Sequence, residues 1–143
     1  MRWRRGIIYV YLDGSALSRY LVDLPESPEW RRWAPAHQGV LVTTPLGLTE
    51  LRLVASHHDF AARARAHEVS QRVGVLRFSD QAVATAVMAR AVLSPFNSLH
   101  LGTAVSHPDI GCVATYDALL ARVATIYGLS VCTPGRPERW WEM

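Results

Sequence analysis

Short apolar runs alternate with segments of helical character along the chain, and this alternation limits the fold more than any other feature. The first run, Ile-Ile-Tyr-Val-Tyr-Leu at 7–12, is β-branched and aromatic without polar alternation. Such a run is typical of a strand covered on both faces, as in a parallel sheet. Similar runs lie at 39–43, 75–78, 110–115 and 129–133. We therefore expect a single α/β domain over residues 1–143, a three-layer α/β/α sandwich with a mostly parallel five-stranded sheet.

Capping signals mark the helices between these strands. Ser27-Pro28 and Thr44-Pro45 each place a hydroxyl before a proline at the first helical position, and Ser79-Asp80 is a further capping pair. The predicted helices span 15–24, 27–33, 44–57, 58–73, 79–93, 97–106 and 116–127. Helices between strands supply the crossovers that parallel pairing needs.

The basic residues are all arginine, because the Lys+Arg count is 15 and the chain contains no lysine. This excludes chemistry that needs a lysine amine, such as a Walker A phosphate lysine or a pyridoxal Schiff base. Codon usage in a GC-rich genome explains an all-arginine chain, and so does phosphate recognition, since a guanidinium binds phosphate in a bidentate manner. A net charge of +3 and a pI near 9.2 are compatible with a polyanionic partner without requiring one.

The cysteines and the N-terminal run bear on location. Cys112 and Cys132 are too few for a disulfide framework or a zinc site, and each lies in an apolar run, so we expect buried, reduced thiols. The run at 7–12 ends at Asp13 and is shorter than the ~7–15 residues of a signal-peptide core. No stretch has the length and apolarity of a membrane span. The expected location is the cytoplasm, with no membrane attachment.

Acidic residues follow two of the predicted strands closely. Asp13 comes directly after the first strand, and Asp117 comes two residues after the fourth. Open α/β sheets bind ligands at the carboxyl ends of their strands. Each aspartate can instead cap the helix that follows it, but two of them in one sheet favour a shared site.

Glu50 lies within an apolar stripe of its predicted helix, between Leu46 and Leu53 on one side and Val54 on the other. A carboxylate in such a place must be paired, protonated or metal-bound, because an isolated buried charge costs too much free energy. Two interpretations stand: a buried salt bridge to an arginine, or several carboxylates that converge on a divalent cation. Oxygen ligands alone favour Mg²⁺ or Mn²⁺ over zinc.

Four segments follow one another in a characteristic order. They are Leu-Asp-Gly-Ser-Ala-Leu at 12–17, Thr-Glu-Leu at 49–51, Ser-Leu-His-Leu-Gly-Thr-Ala at 98–104 and Thr-Tyr-Asp-Ala-Leu-Leu at 115–120. Together they resemble the PIN-domain ribonucleases, specifically the VapC toxins of type II toxin–antitoxin systems. Each segment is weak alone, but the ordered set is specific and spans almost the whole chain.

The resemblance implies a PIN-like fold and a metal-dependent endoribonuclease that cleaves structured RNA, either tRNA or rRNA. The implied catalytic positions are Asp13, Glu50, Asn97 and Asp117, with Ser15 and Thr115 as supporting hydroxyls. Asp13, Asn97 and Asp117 are the implied ligands of Mg²⁺ (or Mn²⁺). The implied protein partners are a second copy in a homodimer and a VapB-type antitoxin whose C-terminal segment would lie in the active-site groove.

Position 97 is the main departure from the family pattern, which has an acid where this chain has Asn97. The amide keeps the shape of aspartate but removes one negative charge and can also donate hydrogen bonds. We therefore expect weaker metal binding and a weakened or inactive enzyme. Asn97 is either natural divergence or an introduced inactivating substitution, and we favour the second.

Two other functions stay open. One is a non-catalytic RNA- or antitoxin-binding PIN-like module, and the other is a PIN ribonuclease of RNA processing that has no antitoxin.

Three further features have structural explanations. His100, one helical turn after Asn97, is expected to orient a neighbour or pack in the core, and the His-His-Asp run at 57–59 to form a loop at a helix end. The Trp-Trp pair at 140–141 either docks a partner or folds back on the domain.

Overall fold

The computed structural model describes residues 3–143 and alternates strands with helices. The strands are β1 (Tyr9–Leu12), β2 (Leu41–Thr43), β3 (Gly74–Val75), β4 (Ile110–Ala114) and β5 (Ser130–Cys132). The α-helices are α1 (Gly14–Ser18), α2 (Ser27–Ala36), α3 (Pro45–Ser56), α4 (Phe60–Arg72), α5 (Asp80–Ala89), α6 (Pro95–Ser106) and α7 (Ala118–Ile126). Met1 and Arg2, the first positions of the predicted domain, lie outside the described residues.

The five strands form one sheet in the order β3-β2-β1-β4-β5. Every neighbouring pair is parallel, so the sheet is wholly parallel where the sequence predicted a mostly parallel one. β1 is the central strand, and it pairs Val10 with Leu41 of β2 and Leu12 with Ala114 of β4. The carboxyl ends of β1, β2 and β4 therefore lie side by side at one edge of the sheet.

Two apolar cores cover the two faces of the sheet. On one face α1 to α4 pack against Leu12, Leu41 and Ala114 around the fully buried Trp30. On the other face α5 to α7 pack against the strand residues next in sequence, such as Val42, whose side chains point the opposite way. Side chains alternate between faces along each strand, so continuous apolar runs are what a sheet with two cores requires. The predicted three-layer α/β/α sandwich is confirmed.

The first helix is shorter than predicted, since α1 ends at Ser18 and not near residue 24. After Ser18 the backbone bonds become those of a tight turn, in which Tyr20 N–H donates to Leu17 and Leu21 N–H to Ser18. The Ser27 hydroxyl then donates to the Val22 carbonyl at 2.6 Å and fixes the approach to α2. The apolar residues of this turn recur with a helical spacing, which is why the sequence predicted a longer helix.

Two other boundaries differ for local reasons. The third strand was predicted at 75–78, but it lies at Gly74–Val75 because its partner β2 ends at Thr43 and leaves the following residues unpaired in the ladder. The helix predicted from residue 97 begins at Pro95, since Ser94 accepts the Asn97 N–H as its cap. Asn97 is thus in the first turn of α6 and not ahead of it.

The structure also shows where the 57–59 loop, the C-terminal tryptophan pair and the two cysteines lie. Asp59 caps α4 by accepting the Ala62 N–H, which confirms the loop predicted at 57–59. Trp141 is only 7% exposed, and its carbonyl accepts from Arg122 of α7 at 2.7 Å, so the tryptophan pair folds back on the domain. The two cysteines are free and only half-buried, on the neighbouring strands β4 and β5. Within residues 3–143, every helix is too short or too polar to span a bilayer.

Candidate active site

Asp13 follows β1 directly and is 1% exposed. Its carboxylate accepts hydrogen bonds from the Ala16 N–H (2.8 Å), the Ser15 hydroxyl (2.7 Å) and the Thr115 hydroxyl (2.5 Å). The bond from Ala16 makes Asp13 the cap of α1 as well as a member of the cluster. Burial raises the pKa of the Asp13 carboxyl despite these donors. The ionised group is therefore held in one orientation but lacks full compensation for its charge.

Two hydroxyls connect Asp13 to the segment after β4. The Ser15 hydroxyl also accepts the Tyr116 N–H at 2.8 Å, and the Thr115 hydroxyl accepts the Asp117 N–H at 3.0 Å. Asp117 caps α7 through the Leu120 N–H at 2.9 Å, so one of its oxygens is engaged by the backbone. The structure thus brings Asp13, Ser15, Thr115 and Asp117 into one continuous hydrogen-bonded cluster.

Asn97 reaches this cluster from the first turn of α6. Its side-chain amide donates to the Asp117 carboxylate, with Nδ2 and Oδ2 3.3 Å apart. An aspartate at this position would present a carboxylate to a carboxylate, and the two would repel without a cation between them. The amide of Asn97 instead donates a hydrogen bond to Asp117 across the site.

Glu50 lies on α3 with its side chain 24% exposed, at the margin of the buried face and not in the middle of it. The predicted stripe was partly wrong, since the buried face of α3 is formed by Gly47, Leu48, Leu51 and Ala55, while Leu53 is 54% exposed. Of the two interpretations of Glu50, the salt bridge to an arginine is not found among the described residues. The Glu50 carboxylate instead contacts Nε2 of His100.

His100 is 1% exposed and connects Glu50 to the sheet. Its Nδ1 lies 2.6 Å from the Tyr11 hydroxyl, which is itself 3.1 Å from the hydroxyl of Thr44. His100 is therefore packed in the core and contacts both Tyr11 and Glu50. The sequence analysis missed Tyr11 and Thr44. The available signal was Tyr11 itself, a side chain with a hydroxyl in an otherwise apolar strand, two residues before Asp13.

The side chains gathered at this edge are of the type that binds a hard cation, because they offer carboxylate and amide oxygens as ligands. Asp13 is buried, and no ion pair within residues 3–143 joins an arginine to Asp13, Glu50 or Asp117. A cation would supply that missing charge. In the part of the chain described, however, no three Asp, Glu, His or Cys side chains lie close enough to share one ion.

A cavity of about 510 Å³ lies away from the acidic cluster, between α2 and α4. It is lined by both charged and apolar side chains, including Arg31, Arg65, Arg72, Tyr20 and Val69. Its basic lining contrasts with the acidic edge of the sheet. The two surfaces would therefore attract ligands of opposite charge.

A parallel sheet of this order, with acidic side chains from separate crossovers gathered at its carboxyl edge, defines the class of open α/β proteins that bind their ligands at strand ends. Within that class the PIN domain matches residues 10–133 of this chain. The protein belongs to the PIN-domain family, as the four ordered segments predicted.

The similarity to named proteins covers most of the chain. Ribonuclease VapC47 of Mycobacterium tuberculosis (strain CDC 1551 / Oshkosh) is 28% identical over 132 residues, which cover 88% of this chain and 97% of that protein. Among solved structures, FitAB bound to an IR36 DNA fragment has a TM-score of 0.68 at 16% identity, over 90% of this chain and 97% of the matched one. DNA-bound VapBC from Salmonella typhimurium has a TM-score of 0.64 at 20% identity, over 89% and 98%. At these identities the structural matches indicate the fold alone.

Proposed function

We propose that the protein is a VapC-type toxin of a toxin–antitoxin system, an endoribonuclease that hydrolyses a phosphodiester bond in structured RNA such as tRNA or rRNA. The observation that carries the proposal is the hydrogen-bonded cluster of Asp13, Ser15, Thr115 and Asp117, with Asn97 and Glu50 beside it. Membership of the PIN family and the likeness to a protein named as a ribonuclease support it.

Each side chain of the cluster has a distinct part in this proposal. Asp13 and Asp117 supply rigid oxygen ligands, because backbone and hydroxyl donors already fix their carboxylates. Ser15 and Thr115 maintain the spacing between the loop after β1 and the loop after β4. Asp13, Asn97 and Asp117 would hold Mg²⁺ or Mn²⁺. When bound, such an ion lowers the pKa of a coordinated water and orients the scissile phosphate.

Asn97 weakens the site in this proposal. Its amide donates to Asp117, so it competes with a cation for the same carboxylate oxygen. It also leaves the cluster with three carboxylates instead of four. Both effects lower cation affinity, since a hard cation is bound by charge as well as by geometry.

The test is cleavage of RNA by the purified protein and its Asn97→Asp variant in Mn²⁺. Cleavage should rise by at least about tenfold in the variant, the size of effect typical for altered metal-site residues. The matched control is Asp13→Asn in the same background, which should abolish the gain. Equal cleavage by the parent and the Asn97→Asp protein would contradict the role given to position 97.

A second candidate function is a non-catalytic module that binds RNA or an antitoxin. It is favoured by the hydrogen bond that Asn97 donates to Asp117 without a cation and by the lack of a ready-made ion site among the described residues. Cation binding separates the two candidates. If the Asn97→Asp protein neither binds Mn²⁺ in calorimetry nor cleaves RNA, the module is the better description.

The proposed protein partners are a VapB-type antitoxin and a second copy of this chain, with both chains in the cytoplasm. The structural neighbours FitAB and VapBC, named as complexes, support the antitoxin, and free cysteines fit a reducing compartment. The homodimer is supported by an exposed apolar stripe on α5, the link that follows it and the first turn of α6, formed by Val83, Val87, Met88, Val92 and Phe96. Co-purification with the product of an adjacent short reading frame tests the antitoxin. Its absence would favour an RNA-processing nuclease.

A further inference from the structure

Glu50 is confined on two sides by groups that do not belong to the acidic cluster. On one side its carboxylate contacts Nε2 of the buried His100. On the other it lies against Gly14, where an added Cβ would be 2.5 Å from Oε2 and 2.7 Å from Cδ. Gly14 is the residue after Asp13, so this confinement holds Glu50 against the backbone that follows the buried aspartate.

The hydrogen bonds behind His100 determine which of its nitrogens carries a proton. The Thr44 oxygen accepts the Gly47 N–H at 3.3 Å, and its own proton has one acceptor in the described structure, the Tyr11 oxygen at 3.1 Å. Tyr11 therefore donates its proton to Nδ1 of His100, 2.6 Å away.

With Nδ1 acting as an acceptor, a neutral imidazole carries its proton on Nε2. That N–H points at the Glu50 carboxylate. Each polar side-chain atom of Thr44, Tyr11 and His100 then has a hydrogen-bond partner. A histidine that served only to fill space would not need this series, because an aliphatic side chain fills a buried position at lower polar cost.

We propose that His100 is a positioning residue for Glu50: Tyr11 and Thr44 fix its ring in the Nε2–H tautomer, and its N–H holds the Glu50 carboxylate against Gly14, the residue that follows Asp13. The catalytic consequence rests on the proposed nuclease function. The tautomer and the carboxylate contact are properties of the fold and can be measured without it.

The activity arm compares two substitutions of His100 in the Asn97→Asp background. The amide nitrogen of glutamine reaches the position of Nε2 and donates there, whereas leucine does not. For RNA cleavage we expect kcat of His100→Gln to stay within about threefold of the parent and kcat of His100→Leu to fall by about 10–100-fold, with KM unchanged. Equal kcat for His100→Leu and the parent, or equal losses for both variants, would overturn the proposal.

Two further variants keep the test independent of folding defects. Gly14→Ala leaves His100 intact but displaces Glu50, and it should lower kcat by a similar factor. His67→Leu, at an exposed position of α4, is the matched control and should leave kcat unchanged. Unchanged kcat in folded Gly14→Ala protein would contradict the geometry.

The structural arm uses the protein with Asn97 in place. Long-range ¹H–¹⁵N NMR, with His100 assigned by its absence from the His100→Gln spectrum, should show the proton on Nε2. Tyr11→Phe should release that preference, because Nδ1 loses its donor. A proton on Nδ1 in the parent would refute the proposal. If the Asn97→Asp protein cleaves no RNA, the proposed function fails while this arm still decides the tautomer.

Discussion

Glu26 should contribute more to stability than any exposed acid of the chain. Its side chain is 3% exposed at the start of α2, and its Oε1 lies 2.8 Å from Nε and 2.6 Å from Nη2 of Arg19. Its Oε2 lies 3.5 Å from Nε of Arg136 in the C-terminal segment. Glu26→Ala would leave Arg19, 12% exposed, without its carboxylate. Breaking a buried pair in this way costs about 3–5 kcal/mol.

The same pair predicts a dependence on pH. Burial alone would raise the pKa of Glu26, but the hydrogen bond and charge of Arg19 and the charge of Arg136 outweigh it and lower the pKa. A carboxyl with a lowered pKa in the folded state stabilises the fold above its unfolded pKa, about 4.3. That contribution is lost as the pH falls through the folded value. The difference between the parent and Glu26→Ala should therefore shrink below about pH 4.

Urea unfolding followed by circular dichroism, at pH 7 and at pH 3, measures both effects. At pH 7 the loss corresponds to a fall of about 10–20 °C in Tm for a chain of this size. Glu29→Ala is the control, since Glu29 pairs with Arg32 on the same helix with both side chains half or more exposed, and such pairs contribute about 0–1 kcal/mol. Equal losses in the two variants, or a Glu26→Ala loss that does not change with pH, would refute the reasoning.

Three other perturbations have defined outcomes. Burial raises the pKa of Asp13, so its ionisation destabilises the fold progressively as the pH rises from the unfolded pKa, about 3.9, and fully above the folded value. Asp13→Asn should therefore raise Tm at pH 7 without divalent cations, and a lower Tm would show that its hydrogen bonds dominate. Val87→Arg should convert a dimer to a monomer in light scattering, whereas Ile126→Arg, at an even more exposed site on α7, should not; identical masses would exclude the α5 stripe. Trp141→Ala should cost about 3–5 kcal/mol in urea unfolding, and a change below 1 kcal/mol would mean that the C-terminal segment is not packed on α7.

The alternation of apolar runs and capped helices was sufficient to predict the architecture, because each run had to be covered on both faces. Boundaries were less accurate where tertiary partners decide them. β3 is short since β2 offers no further backbone groups beyond Thr43, and no local pattern at 75–78 records the length of another strand. α1 ends early because the chain turns toward Glu26, whose pairing with Arg19 is invisible in the sequence.

The candidate site shows the same division. Asp13 and Asp117 were predictable because both follow strands that end at one edge of a parallel sheet. The partner of Glu50 was not, since His100 lies 50 residues away and the competing arginines are numerous. The pairing of distant polar side chains depends on how the helices of the two layers are positioned across the sheet. Hydrophobic periodicity does not encode that position.

The pairing of β1 with β4 has a consequence for the order in which the protein is made. Asp13 and Thr115, which share a hydrogen bond, are separated by 102 positions. A chain emerges from the ribosome with its N-terminus first, so Asp13 waits in an incomplete sheet until most of the sequence has followed. The acidic cluster can close only when β4 has emerged and inserted beside β1. Nascent chains and chains truncated before β4 therefore lack the complete site, and the finished cluster forms only after β4 has left the ribosome.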